Sequence, residues 1–118
     1  RLEKLCGGDG RIRLLVGDAA GSVSRFYHAI DVYLAPFRSE GFGLPLIEAA
    51  QSGARVIATG YGLADEIKSL PALTQIPYRL IPLNDPQGYY ESGPGVVWAE
   101  PDANALVDAL RAGADAHG

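Results

Sequence analysis

Apolar positions along this chain keep two rhythms, and the points where one gives way to the other mark the elements. Residues 11–16 carry a dense apolar run of the kind found in buried parallel strands, and residues 31–35 and 55–58 repeat it in shorter form, closed by Pro36 and by Gly60 and Gly62. Between the first two runs the spacing widens. Val23, Phe26, Tyr27 and Ile30 fall at i, i+3, i+4 and i+7 behind Ser22, a good N-cap, which predicts a helix with one apolar face. His28 lies off that stripe and carries no predicted role. A second helix is predicted over residues 45–52, because Pro45 suits a first-turn position where its missing N–H costs nothing and Gly53 is a natural left-handed stop.

The flanks follow the same logic. Leu2 and Leu5 read as a helix end closed by Gly7 and Gly8. Past the strand at 55–58, the pattern predicts a short helix over 63–68 in which Glu66 is a solvated acid, then a proline-bounded loop over 69–78. A strand is expected over 79–83, an aperiodic loop over 84–95 and a brief strand over 96–98, where Trp98 is a packing anchor. Asp102 caps a last helix with Leu106, Val107 and Leu110 on one face, and residues 112–118 read as a frayed Ala/Gly-rich end. Strands alternating with helices imply βαβ units. The predicted fold is α/β, a Rossmann-like parallel sheet with flanking helices, in one domain over residues 1–118.

Composition narrows the partners. With 10 Lys plus Arg against 14 Asp plus Glu, the chain has a net charge of −4, which gives no nucleic-acid footprint. Cys6 is the single cysteine, so no internal disulfide forms and a reducing compartment fits. No apolar run approaches a membrane span and no signal-peptide pattern opens the chain. A cytoplasmic location is expected, with peripheral attachment to a membrane left open for the full-length protein. The sequence begins at Arg1 and contains no methionine, which predicts an excerpt of a longer protein.

The chemistry concentrates in residues 39–50. Here a strand leads through Gly41 and Gly43 into the helix begun by Pro45, and free N–H groups of the loop and first turn, around Leu46, form a seat for an anion such as a phosphate. Glu40 and Glu48 flank that seat and would repel the anion itself. A carboxylate accepts two hydroxyl donors at once, as from a vicinal diol, so a phosphate centre with hydroxyls on both sides meets all three features. A sugar nucleotide has that layout. Helix-dipole complementation by Glu48, with Glu40 as a loop acid, accounts for either carboxylate alone but not for both together with the glycines and Pro45.

The run Glu40, Gly41, Phe42, Gly43, Leu44, Pro45, with Glu48 eight positions after Glu40, resembles the Glu-x7-Glu signature of the group 1, or family four, retaining glycosyltransferases of GT-B fold. Val16, Gly17, Phe26, Tyr27, Ala29, Asp31, Val32 and Pro36 are similar to the approach in that family. Gly53, residues 56–59, Gly62 and Glu66 are similar to its continuation. The resemblance implies that the chain is a donor-binding domain within a larger two-domain enzyme whose N-terminal acceptor domain lies elsewhere. It implies a nucleotide-diphosphate sugar as donor substrate, no metal, and Glu48 on the ribose diol. Glu40, the catalytic residue, would contact the transferred sugar, as a nucleophile only in principle because such enzymes use a front-face mechanism in which the leaving phosphate helps deprotonate the acceptor. The N–H groups of Phe42, Gly43 and Leu44 would hold the diphosphate or nearby sugar hydroxyls. Read from its place at the carboxyl end of the first strand, the loop at 17–21, with Gly17, either meets a nucleobase with its backbone or is a plain strand-to-helix turn. Two positions depart from the pattern: Phe37 stands where the family has a small serine, and Gly62 with Leu63 replaces a glycine pair. The family's basic pair for the diphosphate is not matched by Arg38 or Arg55. A non-catalytic nucleotide- or sugar-binding module derived from such a half is the alternative.

Overall fold

Val56, Ile57, Ala58 and Thr59 are all buried, and a strand buried on both faces belongs in the middle of a sheet. In the computed structural model, which describes residues 4, 7–15, 23–38, 43–88 and 93–117, this is what they do. β1 (Val32–Ala35), β2 (Arg55–Thr59) and β3 (Leu73–Ile76) form a three-stranded parallel sheet in the order β1-β2-β3. The register sets Tyr33 opposite Val56 and Thr59 opposite Ile76. α1 (Val23–Ala29) precedes β1, α2 (Leu44–Gln51) crosses from β1 to β2, and α3 (Asp65–Lys68) lies between β2 and β3.

The core forms where the α2 face meets β2: Leu46, Ala49, Ala54, Val56, Ala58, Leu63 and Ile67 are buried with Tyr27 from α1. Phe37 packs against the same cluster, which gives a reason for an aromatic ring where the resembling family keeps a serine. Phe26 and Ile30 join it as half-buried members, so the helical stripe read from the sequence faces the core as expected. Thr59 closes β2 with its hydroxyl buried and without a hydrogen-bond partner among the described residues, an uncommon cost for a buried polar atom.

Several expectations are corrected. Residues 12–15 form no strand; Ile12, Leu14 and Leu15 are 50%, 45% and 43% exposed, because an apolar run becomes a strand only beside a partner and none pairs with it among the described residues. The stretch expected as a loop over 69–78 contains β3: Leu73, Thr74 and Ile76 are strand formers that complete the ladder of β2. β4 (Tyr78–Pro82) and β5 (Val97–Pro101) are not further members of the parallel sheet but an antiparallel pair, with Arg79 opposite Glu100. α4 (Ala103–His117) continues through the stretch expected to fray, in keeping with the strong helix propensity of alanine. Its start is as predicted, with Asp102 Oδ1 accepting from the Ala105 N–H at 3.0 Å. Within it Gly113 lets the helix come close to β1, since a Cβ there would stand 3.4 Å from Val32 Cγ2. Ser22 and the loop around Gly17 lie outside the described residues.

Candidate functional site

Parallel strands put all their carboxyl ends on one edge, so the connections leaving Ala35, Thr59 and Ile76 share that edge. α2 begins there. Its N-cap is Gly43, at φ 83 and ψ 34 in the left-handed region, with no side-chain cap, and Pro45 stands in the first turn as its fixed φ favours. A Cβ at Gly43 would lie 2.6 Å from Cδ1 of the fully buried Ile67, so glycine is required here both by backbone conformation and by the space left over α3.

The free N–H groups are fewer than expected. The Leu46 N–H donates to the Gly43 carbonyl at 3.0 Å and Leu46 is buried, so it is not part of an open seat. Pro45 has no N–H. The donors left without a partner among the described residues are those of Gly43 and Leu44, and Leu44 is 55% exposed. The open first turn expected around Leu46 is therefore not found, and of the two donors only that of Leu44 belongs to an exposed residue.

Glu48 stands one turn further along α2, half-buried, and its carboxylate makes no hydrogen bond or ion pair among the described residues. No acid occupies the first turn of α2. Because dipole effects fade beyond that turn, complementing the helix end is a poor account of Glu48. Behind it lies Tyr27, whose ring is 5.8 Å from that of Tyr33. Burial pushes the Tyr27 phenol above its ordinary pKa, and the neighbouring Tyr33 and the negative charge of Glu48 push it further. A raised folded-state value stabilises the fold fully below the unfolded value, about 10, and that contribution is lost as pH rises through the folded one. Denaturant midpoints are thus expected to fall above about pH 10, and to fall less in Tyr27→Phe.

Glu40, Gly41, Phe42 and Gly17 lie outside the described residues. Of the predicted site residues, the structure brings Gly43, Leu44 and Glu48 together on one short helix at the carboxyl edge of the sheet. Glu66 is exposed, as expected of a solvated acid. A depression of about 370 Å³ between β4, β5 and the start of α4, with Arg79 and Glu100 in its wall, includes none of the predicted site residues.

One feature was not legible in the sequence. Arg38 lies just before the 39–42 segment, and its Nε and Nη2 both reach Glu100 Oε1 at 2.9 Å. Its guanidinium carbon is 5.1 Å from the centroid of the Trp98 ring, and its carbonyl accepts from the Ala99 N–H at 3.0 Å. The partners are 62 positions apart, and no local periodicity signals such a pairing.

The comparisons bear on this site. The family model described as glycosyl transferases group 1 matches residues 2–112. Among curated proteins, the chain is similar to the lipopolysaccharide core biosynthesis mannosyltransferase LpsB of Rhizobium meliloti (strain 1021), with 41% identity over 54 residues, 46% of this chain and 15% of that protein. The matched part is thus a small fraction of that relative's length. No solved structure gives a significant match.

Proposed function

This chain belongs to the glycosyl transferases group 1 family, and on that premise we propose that residues 1–118 are the donor-binding domain of a retaining glycosyltransferase of GT-B fold. Its donor is a nucleotide-diphosphate sugar. Its N-terminal acceptor domain lies outside these residues. The observation that carries the reading is Glu48: a half-buried carboxylate without a hydrogen-bonding or ionic partner among the described residues, one turn behind the exposed Leu44, whose N–H has no partner among those residues. An acceptor-only group beside an anion seat is the complement of a ribose diol next to a diphosphate.

In this reading Glu48 accepts from both ribose hydroxyls, and the N–H groups of Phe42, Gly43 and Leu44 bind the diphosphate and stabilise the charge that develops on it as the glycosidic bond breaks. Glu40 faces the transferred sugar. The leaving phosphate takes the proton of the acceptor hydroxyl on the same face, which retains configuration. Gly17 lies against the base. The similarity to a mannosyltransferase makes a hexose donor the first class to test. No helix among the described residues is long and apolar enough to cross a membrane.

The test is a transfer assay on the full-length protein with a panel of nucleotide sugars, beside residues 1–118 alone. Transfer by the full-length protein and none by residues 1–118 is the expected result. Turnover by residues 1–118 would overturn the assignment of the acceptor side to another domain, and nucleotide binding without transfer in the full-length protein would favour a binding module.

A further inference from the structure

Arg79 stands directly opposite Glu100 in the β4–β5 ladder, a register at which opposite charges ordinarily pair across strands, yet it makes no ion pair among the described residues. Glu100 is held instead by Arg38, whose Nε and Nη2 both reach the one oxygen Oε1. Oε2 is left without a partner among those residues. Asp102 is divided in the same way: Oδ1 accepts from the Ala105 N–H, and Oδ2 has no partner among the described residues. Arg79, Glu100 and Asp102 all line the depression of about 370 Å³ between β4, β5 and the start of α4, and small-molecule sites run from about 300 to 1,000 Å³. Pro77 and Pro101 line it too, and the Asp102 N–H ties its two sides together by donating to the Pro77 carbonyl at 2.8 Å.

These groups select a class of ligand. Arg38 neutralises Glu100, and Arg79 balances Asp102, so the lining has no net charge with which to hold an anion or a cation. Arg79 offers donors only, and the two carboxylates offer acceptors only. A hydroxyl both donates and accepts, so neighbouring hydroxyls of a neutral sugar ring can bridge guanidinium and carboxylate while the prolines supply apolar wall for its C–H surface. Pro77 follows Ile76, the last residue of β3, so the depression begins at the carboxyl edge of the parallel sheet, the edge where α2 starts. β3 is two strands from β1, roughly 10 Å. We propose that the depression is a subsite for a neutral saccharide, and that this saccharide is a unit of a glycan acceptor set apart from the hydroxyl that receives the sugar. Only the second half rests on the glycosyltransferase reading above.

Calorimetry on the full-length protein with neutral trisaccharides of glucose and of mannose, and with inorganic phosphate as competitor, tests the subsite. A trisaccharide is expected to bind, phosphate not to displace it, and Arg79→Ala and Asp102→Asn each to weaken it roughly tenfold. Both variants should keep the wild-type Tm, since Arg79 is exposed on an edge strand and asparagine caps a helix as aspartate does. Affinity for a free nucleoside diphosphate stays unchanged in both. In transfer assays the same variants raise KM for a glycan acceptor about tenfold, with kcat and KM for the sugar nucleotide held. Failure of both trisaccharides to bind, displacement by phosphate, or binding that the two variants leave intact would overturn the subsite. Weakened trisaccharide binding with acceptor KM unmoved would overturn the acceptor assignment alone and make a separate glycan the ligand. A full-length protein that binds trisaccharide through these residues yet transfers no sugar would keep the subsite and sink the glycosyltransferase reading.

Discussion

Gly43→Ala is expected to lose about 2–5 kcal/mol of stability, a large part of what a domain of this size has to spare. Two effects add. The left-handed conformation at φ 83 costs a residue with a Cβ about 1–2 kcal/mol. The new methyl then meets Ile67 Cδ1 at 2.6 Å, and because Ile67 is fully buried that side chain must shift within the packed core; overpacking of that kind costs about 1–3 kcal/mol. Ile67→Val removes the clashing carbon and by itself costs about 0.5–1.5 kcal/mol. The two substitutions together should therefore be milder than their sum, by about 1 kcal/mol, while the conformational cost persists. Urea unfolding of residues 1–118, followed through the fluorescence of the single tryptophan, Trp98, measures all three variants. Additive losses would mean that the contact with Ile67 is not what demands glycine. Transfer activity should fall further than stability, because the Gly43 and Leu44 N–H groups move with the turn.

The helix that starts at this glycine was readable from the sequence because its boundary residues act locally. Pro45 and Gly53 each have a mechanical reason to sit where they do, and α2 ends as predicted with Gly53 at φ 95. The central strand was legible for the same kind of reason: four consecutive residues without a polar break other than Thr59 belong where both faces are covered. What failed depended on partners distant in sequence. Residues 11–15 look like a strand and have the apolar content of one, but pairing is a property of two segments. β3 was hidden by its prolines: Pro71 and Pro77 bracket a stretch that reads as a loop until β2 is placed beside it. The antiparallel turn of β4 and β5 is equally non-local, since nothing in either strand states its direction. In the candidate site, the acid and the glycine were singled out by motif chemistry, whereas the overestimate of free N–H groups came from treating the first turn as uniform. Leu46 closes its own bond to Gly43, and the side chain that shields it is buried with the core. The departure at residues 62–63 also has a packing basis: Gly62 keeps a positive φ while Leu63 is 7% exposed and fills the core beside Ile67.

Replacing each carboxylate by its amide should separate the two acids of the motif. In the full-length protein, Glu48→Gln is expected to weaken binding of a free nucleoside diphosphate roughly ten- to hundredfold, because hydrogen bonds to a charged group are worth about 1.5–3 kcal/mol. The loss should be the same size for the sugar nucleotide, since the ribose diol is present in both. Glu40→Gln should leave nucleoside diphosphate affinity alone and lower turnover, since in the proposed arrangement it meets only the transferred sugar. The structure supplies the reason for expecting a clean result at Glu48. Among the described residues its carboxylate has no hydrogen-bonding or ionic partner to be orphaned by the change, so the fold should tolerate glutamine. Its charge does act on Tyr27, whose phenol is held neutral in part by that charge. Glu48→Gln should consequently lower the Tyr27 pKa, an internal control that the side chain lies where the structure puts it, readable by ultraviolet titration of the tyrosines. Calorimetry with the free nucleoside diphosphate gives the binding terms. If both variants lose affinity equally, the acids have no division of labour. If Glu48→Gln shifts the tyrosine titration yet binds nucleotide like wild type, the carboxylate is correctly placed and is not the ribose ligand.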